Sequence, residues 1–319
     1  MKNESHGTEC KTNLVLDGEY EPYVINAWTG ETQLVANYEI RDGQTYVPID
    51  IKYDDIALYA FRPMKEETLH ATATTADSVV QKNGKLYAKA FSSGDYSTEL
   101  SDGSTVETKA EVPDSYDITN WDVNVESWSK GDNLIIDEET IDGLKTVNSQ
   151  YETKKTAINV KLDKLKTWNN IPEVGDKVSG TASYKATFNW DASKADGAVL
   201  DFGDSLVSTM EVWINGKKVG GDVSTNPSKS KTVIADGSTG REQYTGGISF
   251  KDPKADVSEY LKDGENTIEV KYSSTLGNVE IANGGAQAKE ADWWGYDTSV
   301  EAYGPVQAVL HPYTLTSLT

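Results

Sequence analysis

The chain has 319 residues and a formal charge of −21, from 51 acidic and 30 basic side chains. Such a field repels duplex nucleic acid and anionic membrane surfaces, which excludes both as partners; solubility or bound cations account for the acidity. Hydrophobic residues make up 37% of the chain and the mean hydropathy is −0.55, a balance that supports thin cores beneath a large surface.

The N-terminal stretch "MKNESHGTEC" has no apolar run after Met1, so no signal peptide is visible, and no segment approaches the roughly 20 apolar residues of a membrane-spanning helix. The single Cys10 has no internal partner, and low cysteine usage fits a bacterial protein. Either the chain is cytosolic or it is one piece of a longer exported protein. Strand signals then follow closely. "YVINAW" (Tyr23–Trp28), "QLVANYEI" (Gln33–Ile40), "TYVPIDI" (Thr45–Ile51) and "IALYAF" (Ile56–Phe61) are short, β-branched or aromatic, and separated by turn residues such as Asp42-Gly43. A second set comprises "LHATATT", "KLYAKAF" after Asn83-Gly84, "DYSTEL" after Gly94 and "TVETKAEV" after Asp102-Gly103. Asn-Gly and Asp-Gly favour the positive φ of tight hairpin turns, so these strands form meanders.

Pro113–Asp117 marks a boundary. Beyond it "WDVNVESW" (Trp121–Trp128) alternates, Ser129–Lys155 reads as a polar loop, and "AINVKL" (Ala157–Leu162) resumes the strand pattern. "SYKATFNW", "AVLDFG", "TMEVWING", "NTIEVKYSS" and "PVQAVLHPY" follow, interrupted by the low-complexity stretch Gly221–Gly247, which is expected to be exposed or mobile. Asp256–Glu259 has the spacing of a capped helical turn, with Leu261 as its apolar anchor and Gly264 as its stop. The reading is an all-β chain of two β-sandwiches, residues 1–112 and 113–319, with helix confined to turns. The first sandwich reads as truncated at its N-terminus, because Asn13–Asp17 looks like a middle strand without earlier partners.

In the second half, "EVWINGKKVGG" turns at Asn215-Gly216 and is followed by "DVSEYLKDGENTIEV" (Asp256–Val270). That order resembles the galactose-binding-like jelly roll carried as an accessory domain by many large glycoside hydrolases. "EPYVINAWTGETQLVANYEI", "DDIALYAF", "WDVNVESW", "LKTWNNIPEVGDKVSGTASYKATF" and the closing "YGPVQAVLHPY" further resemble the C-terminal region of glycoside hydrolase family 106, the α-L-rhamnosidase group. The resemblance runs from about Leu14 to Tyr313, with an immunoglobulin-like sandwich implied before the jelly roll. It implies that the catalytic carboxylates, and their calcium, belong to an upstream (β/α)₈ barrel; no alternating strand–helix series is present here. The implied function is that of a non-catalytic accessory region of a rhamnosidase-like enzyme, bracing that barrel and contacting a rhamnose-containing plant or microbial polysaccharide. The alternative is a cell-surface adhesion or stalk module with no glycosidase parent.

Candidate chemistry is sparse. Glycoside hydrolysis needs two carboxylates roughly 5–10 Å apart around a sugar. Sequence pairs such as Asp54-Asp55 or Glu290/Asp292 do not single themselves out among so many acids, so no catalytic residue is assigned. His6, His70 and His311 are scattered, which argues against a zinc cluster. Jelly rolls of this kind often hold a structural calcium, although the sequence names no ligands for one and no other cofactor is expected. The segment "NGGAQAKEADWWGYD" (Asn283–Asp297) supplies the candidate sugar platform, Trp293, Trp294 and Tyr296: aromatic faces stack on pyranose C–H faces while acids and amides take the hydroxyls. The competing reading has alternate members of that trio sealing a sandwich edge. Trp121, Trp128, Trp168, Trp190 and Trp213 are expected in cores or on sheet faces, and Trp28 at a hairpin.

Overall fold

A computed structural model describes residues 1–5, 7–27, 31–53, 55–64, 68–204, 206–220, 248–249, 251–283 and 299–319. The described chain is all-β, with its sheets in sandwich-like arrangement. Helix among the described residues is limited to Gly277–Ala282 and 3₁₀ turns such as Trp168–Asn170 and Ser258–Tyr260.

The N-terminal part contains two three-stranded sheets. One orders Cys10–Asp17, Gln44–Ile51 and Glu39–Arg41; the other orders Thr32–Leu34, Tyr20–Ile25 and Leu58–Pro63. The alternation of "TYVPIDI" buries Val47, Ile49 and Ile51, which pack with Tyr38, Leu14, Tyr59 and Phe61. Asn13–Asp17, expected in the middle of a sheet, belongs to an edge strand paired with Gln44–Ile51. A middle set of strands, Ala71–Thr74, Ser78–Lys82, Lys85–Ala90, Gly94–Leu100 and Thr105–Ala110, encloses a second core of Ala71, Val79, Leu86, Ala88 and Leu100. Buried His70 stacks on Tyr38 with ring centroids 3.8 Å apart, joining these two parts.

The C-terminal part holds the largest core, between two six-stranded sheets. The first runs Leu144–Leu162, Trp121–Ile141, Gly180–Trp190, Gly264–Ser273, Thr209–Ile214 and Lys217–Lys218. Every second residue from Gly180 to Trp190 is buried, because one face of this sheet meets the core and the other meets water. The second sheet includes Lys254–Asp256, Gly197–Asp201 and the C-terminal strand Val309–Ser317, then continues through Lys85–Ala90 and Ser78–Lys82 of the middle set. The C-terminal strand therefore bonds Gly197–Asp201 along one stretch and Tyr87–Ala90 along the next.

The motif residues at the hairpin have a physical task. Asn215 and Gly216 both take positive φ, 51° and 77°, as a tight two-residue turn requires. The Asn215 side chain then donates to the Tyr260 carbonyl (2.9 Å) and to Asn266 Oδ1 (2.7 Å), while its own oxygen accepts from the Thr267 N–H (3.1 Å). Asn266 is fully buried and also bonds the backbone of Lys262 and Gly264. Two asparagines thus lock the hairpin to the 3₁₀ turn and to the strand that follows. The turn itself is shorter than expected: Asp256 accepts from the Ser258 N–H (3.1 Å), Leu261 packs against the core, and Gly264, with φ 84°, opens the next strand.

One other expectation changes. Ser129–Lys155 is not a loop: Trp121–Ile141 and Leu144–Leu162 pair as one long hairpin, turned at Asp142-Gly143 with φ of 51° and 82°. The short helix Gly277–Ala282 follows the strand Gly264–Ser273. Trp28, the stretch Gly221–Gly247, and the trio Trp293, Trp294 and Tyr296 lie outside the described residues.

Replacing Asn266 by Ala should leave the Lys262 N–H, the Lys262 and Gly264 carbonyls and the Asn215 amide without their partner. Each buried group so orphaned costs about 1–3 kcal/mol. Urea unfolding of Asn266→Ala is expected to show a loss of roughly 3 kcal/mol or more in the transition that reports the C-terminal core; an unchanged midpoint would remove the lock from the account.

Candidate functional site

Three places bring polar and aromatic groups together. The first is the root of the segment that contains the candidate trio Trp293, Trp294 and Tyr296. Buried Asn278 donates to the Glu301 carbonyl and accepts from the Glu301 N–H, both at 2.8 Å, so the chain leaves and returns at one point. Beneath this root lies a buried aromatic cluster. Trp168 Nε1–H donates to the Tyr184 hydroxyl (2.7 Å), and its ring meets Tyr272 and Tyr303 edge-on at 5.5 and 5.9 Å. Burial pushes the Tyr184 and Tyr272 hydroxyls well above the usual phenol range. These groups are packing elements and are closed to a ligand. Sequence reasoning placed Trp168 in a core or on a sheet face; its place under this root was not legible, since the contact spans more than a hundred residues.

The second is the solvent face of the large sheet. Strand register aligns Lys161, Asp122, Lys185, Glu269, Trp213 and Lys218 in one row across its strands. Oppositely charged neighbours pair, Lys161 with Asp122 at 2.9 Å and Lys185 with Glu269 at 3.8 Å. A groove of about 500 Å³ lies here, lined by Asn120, Lys185, Thr187, Trp213, Glu269 and Lys271. It has hydroxyls, amides and an indole, which is the chemistry of a sugar contact. However, the ammonium groups of Lys271 and Lys218 sit 4.4 and 5.7 Å from the Trp213 ring centroid. A pyranose would have to displace that cation–π contact before stacking.

The third is a cleft of about 450 Å³ between the N-terminal strands and the C-terminal core, lined among others by Glu31, Asp55, Asp252, Asp256, Glu259 and Tyr260. Its floor is tied down by ion pairs across the chain, Lys52–Asp252 at 2.8 Å and Lys89–Asp256 at 3.0 Å. Lys89 also sits 3.7 Å over the Tyr313 ring, and the Tyr313 hydroxyl donates to Asp256 (3.0 Å). Burial raises the pKa of the Asp256 carboxyl, yet the Lys89 charge and hydrogen bonds from Ser258 and Lys89 outweigh it and hold the group below 3.8. A carboxyl kept ionised in this way cannot serve as the general acid of glycoside cleavage, which needs a raised pKa. Glu126, with Lys155 and Trp128 donating to it, and Asp191, bonded by Ser193 and Lys194, are displaced downward as well.

Ser115 Oγ lies 2.7 Å from His311 Nδ1, and His311 Nε2 lies 3.4 Å from Asp201. Asp201 is shared with Lys254 (3.5 Å) and with the Gly203 N–H (2.7 Å), so the chain of groups anchors the C-terminal strand. Among the described residues, no group of three His, Cys, Asp or Glu side chains is placed to hold a metal ion. No helix of the described residues is long and apolar enough to cross a membrane.

The Asp256 pair yields a pH test. A carboxyl whose folded pKa is depressed stabilises the fold above its unfolded value of about 3.8, and that contribution disappears as pH falls through the lower folded value. Wild type should therefore exceed Asp256→Asn in melting temperature by a constant margin from pH 7 to about 5. The margin should shrink below pH 4. A margin that grows on acidification would reverse the assignment.

No protein-family model and no curated protein sequence matches the chain. Among solved structures, the chain is similar to a rhamnosidase from Novosphingobium sp. PP1Y, at 16% identity over 95% of this chain and 22% of that one, with a TM-score of 0.50. A β-D-glucuronidase from Dictyoglomus thermophilum (16% identity, 66% of this chain and 34% of that one) and an α-L-rhamnosidase from Dictyoglumus thermophilum (12% identity, 98% and 25%) match with TM-scores of 0.30 and 0.24, which set no fold correspondence. The chain spans about a fifth of the Novosphingobium rhamnosidase, and what it shares with that enzyme is a glycoside-hydrolase-related, all-β fold.

Proposed function

We propose that this chain is a non-catalytic accessory region of a rhamnosidase-like glycoside hydrolase related to family 106. In this reading it divides into an immunoglobulin-like sandwich, residues 1–112, and a galactose-binding-like jelly roll, residues 113–319. The observation that carries the reading is the likeness, over 95% of this chain, to part of a rhamnosidase more than four times its length. The natural partner is then a catalytic barrel preceding this region, and the substrate of the whole enzyme is a rhamnose-containing plant or microbial polysaccharide. Nucleic acid and membrane remain unsuited to so acidic a surface.

Within this reading Trp293, Trp294 and Tyr296 are the sugar platform. The chain on either side of this segment is tied together by Asn278, which bonds the Glu301 backbone twice. A single stacked ring supplies little net free energy after the hydroxyls are desolvated, so the dissociation constant is on the order of millimolar.

The purified chain should release no rhamnose from aryl α-L-rhamnosides. Turnover that survives repurification and is abolished by one Asp or Glu substitution would overturn the accessory role. Rhamnose-containing glycans should perturb tryptophan fluorescence, and Trp293→Ala or Trp294→Ala should abolish that response with little change in melting temperature. A loss of roughly 3–5 kcal/mol with no glycan response would instead make the indoles packing residues.

A further inference from the structure

The long hairpin outruns the sheet that it belongs to. Trp121–Ile141 has Gly180–Trp190 as its second neighbour only from Asp122 to Ser127. Beyond Ser127 its partner is Leu144–Leu162 alone, out to the turn at Asp142-Gly143. This two-stranded ribbon is some 14 residues long, or roughly 45 Å. Two-stranded ribbons are marginally stable in water, and this one leaves large apolar side chains uncovered. Leu134, Ile141 and Leu144 are 41%, 60% and 73% exposed.

Register shows that these three share a face. Both bulges fall in the first strand, between Lys130 and Asn133 and between Ile135 and Asp137, while the second strand advances regularly. Even-numbered residues of that second strand face the core side, as Ile158, Val160 and buried Leu162 do near the root. Carried outward, the same face holds Lys154 opposite Ser129, Gln150 opposite Leu134, Thr146 opposite Glu139, and Leu144 opposite Ile141. The ribbon is therefore a continuation of the core-facing side of the sheet, with no core described beneath it.

We propose that this face packs against the same face of a second copy of the chain, antiparallel, about a two-fold axis through the Leu134–Gln150 pair. The spacing selects this arrangement. Thr146 and Lys154 lie four residues on either side of Gln150, so the axis sets Glu139 of each copy beside Lys154 of the other. Leu134 meets its own symmetry mate. The tip pair Ile141 and Leu144, six residues out, reaches the other copy's root at Ser127 and Thr156, next to the half-buried Ile158. Charge on this face favours the antiparallel sense: Glu139 lies toward the tip and Lys154 toward the root, so the antiparallel stack sets opposite charges together and a parallel one sets each beside its own mate. An isologous contact of this kind closes on itself and makes a dimer rather than a fibre.

Sedimentation velocity of the full chain tests the proposal. A species of twice 34.9 kDa should grow with concentration up to about 100 µM and decline with added salt. Leu134→Asp should weaken association at least roughly tenfold, since it sets two like charges on the axis. Glu139→Lys and Lys154→Glu should each weaken it, and the two together should restore it. All three side chains are exposed, so near-ultraviolet circular dichroism should not change. A monomer throughout the range, a dimer indifferent to Leu134→Asp, or single charge reversals that the double variant fails to rescue would each overturn the proposal.

Discussion

The strand Val309–Ser317 belongs to two neighbourhoods at once, and the arrangement of the rest follows from that. Its residues Val309–Tyr313 complete the sheet that covers the large C-terminal core, and Thr314–Ser317 continue, without a break in extended backbone, as the partner of Tyr87–Ala90. Leu318 then enters the small middle core. A shared strand couples its neighbours more tightly than a linker does, because rotating one part against the other would break ladder hydrogen bonds in a row. The ion pair Lys89–Asp256 reinforces the same junction from the side, while Lys52–Asp252 ties the N-terminal strands to the C-terminal part. The middle core is small, its buried residues being four alanines, one valine and three leucines, of which Leu318 comes from this strand's end, so the middle strands depend on this anchorage for order.

The all-β architecture was legible because the turn chemistry is explicit. Asn83-Gly84, Asp42-Gly43 and Asn215-Gly216 all adopt the positive φ angles that their residues imply. The pairing of Asn215 with Asn266 was visible only as a recurring motif, because its cause is a contact 51 residues apart. The ribbon was misread although Asp142-Gly143 carries the same turn signal as the others. Its flanks, "NLIIDEETI" and "LKTVNSQYETKK", are polar because the ribbon has no described core beneath it, and a reading keyed to alternating burial takes such polarity for loop.

Candidate sites left a fainter trace for a similar reason. A row such as Lys161, Asp122, Lys185, Glu269, Trp213 and Lys218 draws its members from separate strands, one residue from each, so no local pattern announces it. The cleft lined by Glu31, Asp55, Asp252 and Tyr260 draws on both ends of the chain. Carboxylates are too frequent in this sequence for their positions alone to discriminate, and only geometry separates Asp256, bound by Lys89, Ser258 and Tyr313, from its many solvated neighbours.

The double hydrogen bond between Asn278 and the backbone of Glu301 has an evolutionary reading. It joins the two ends of an excursion at a buried point, with Val279 bonded to Ser179 and Tyr303 bonded to Thr275 on either side. The entropy of bringing these two points of the chain together is met by the bonds at this root. The intervening sequence can therefore vary between relatives while the one buried asparagine that closes this edge stays in place.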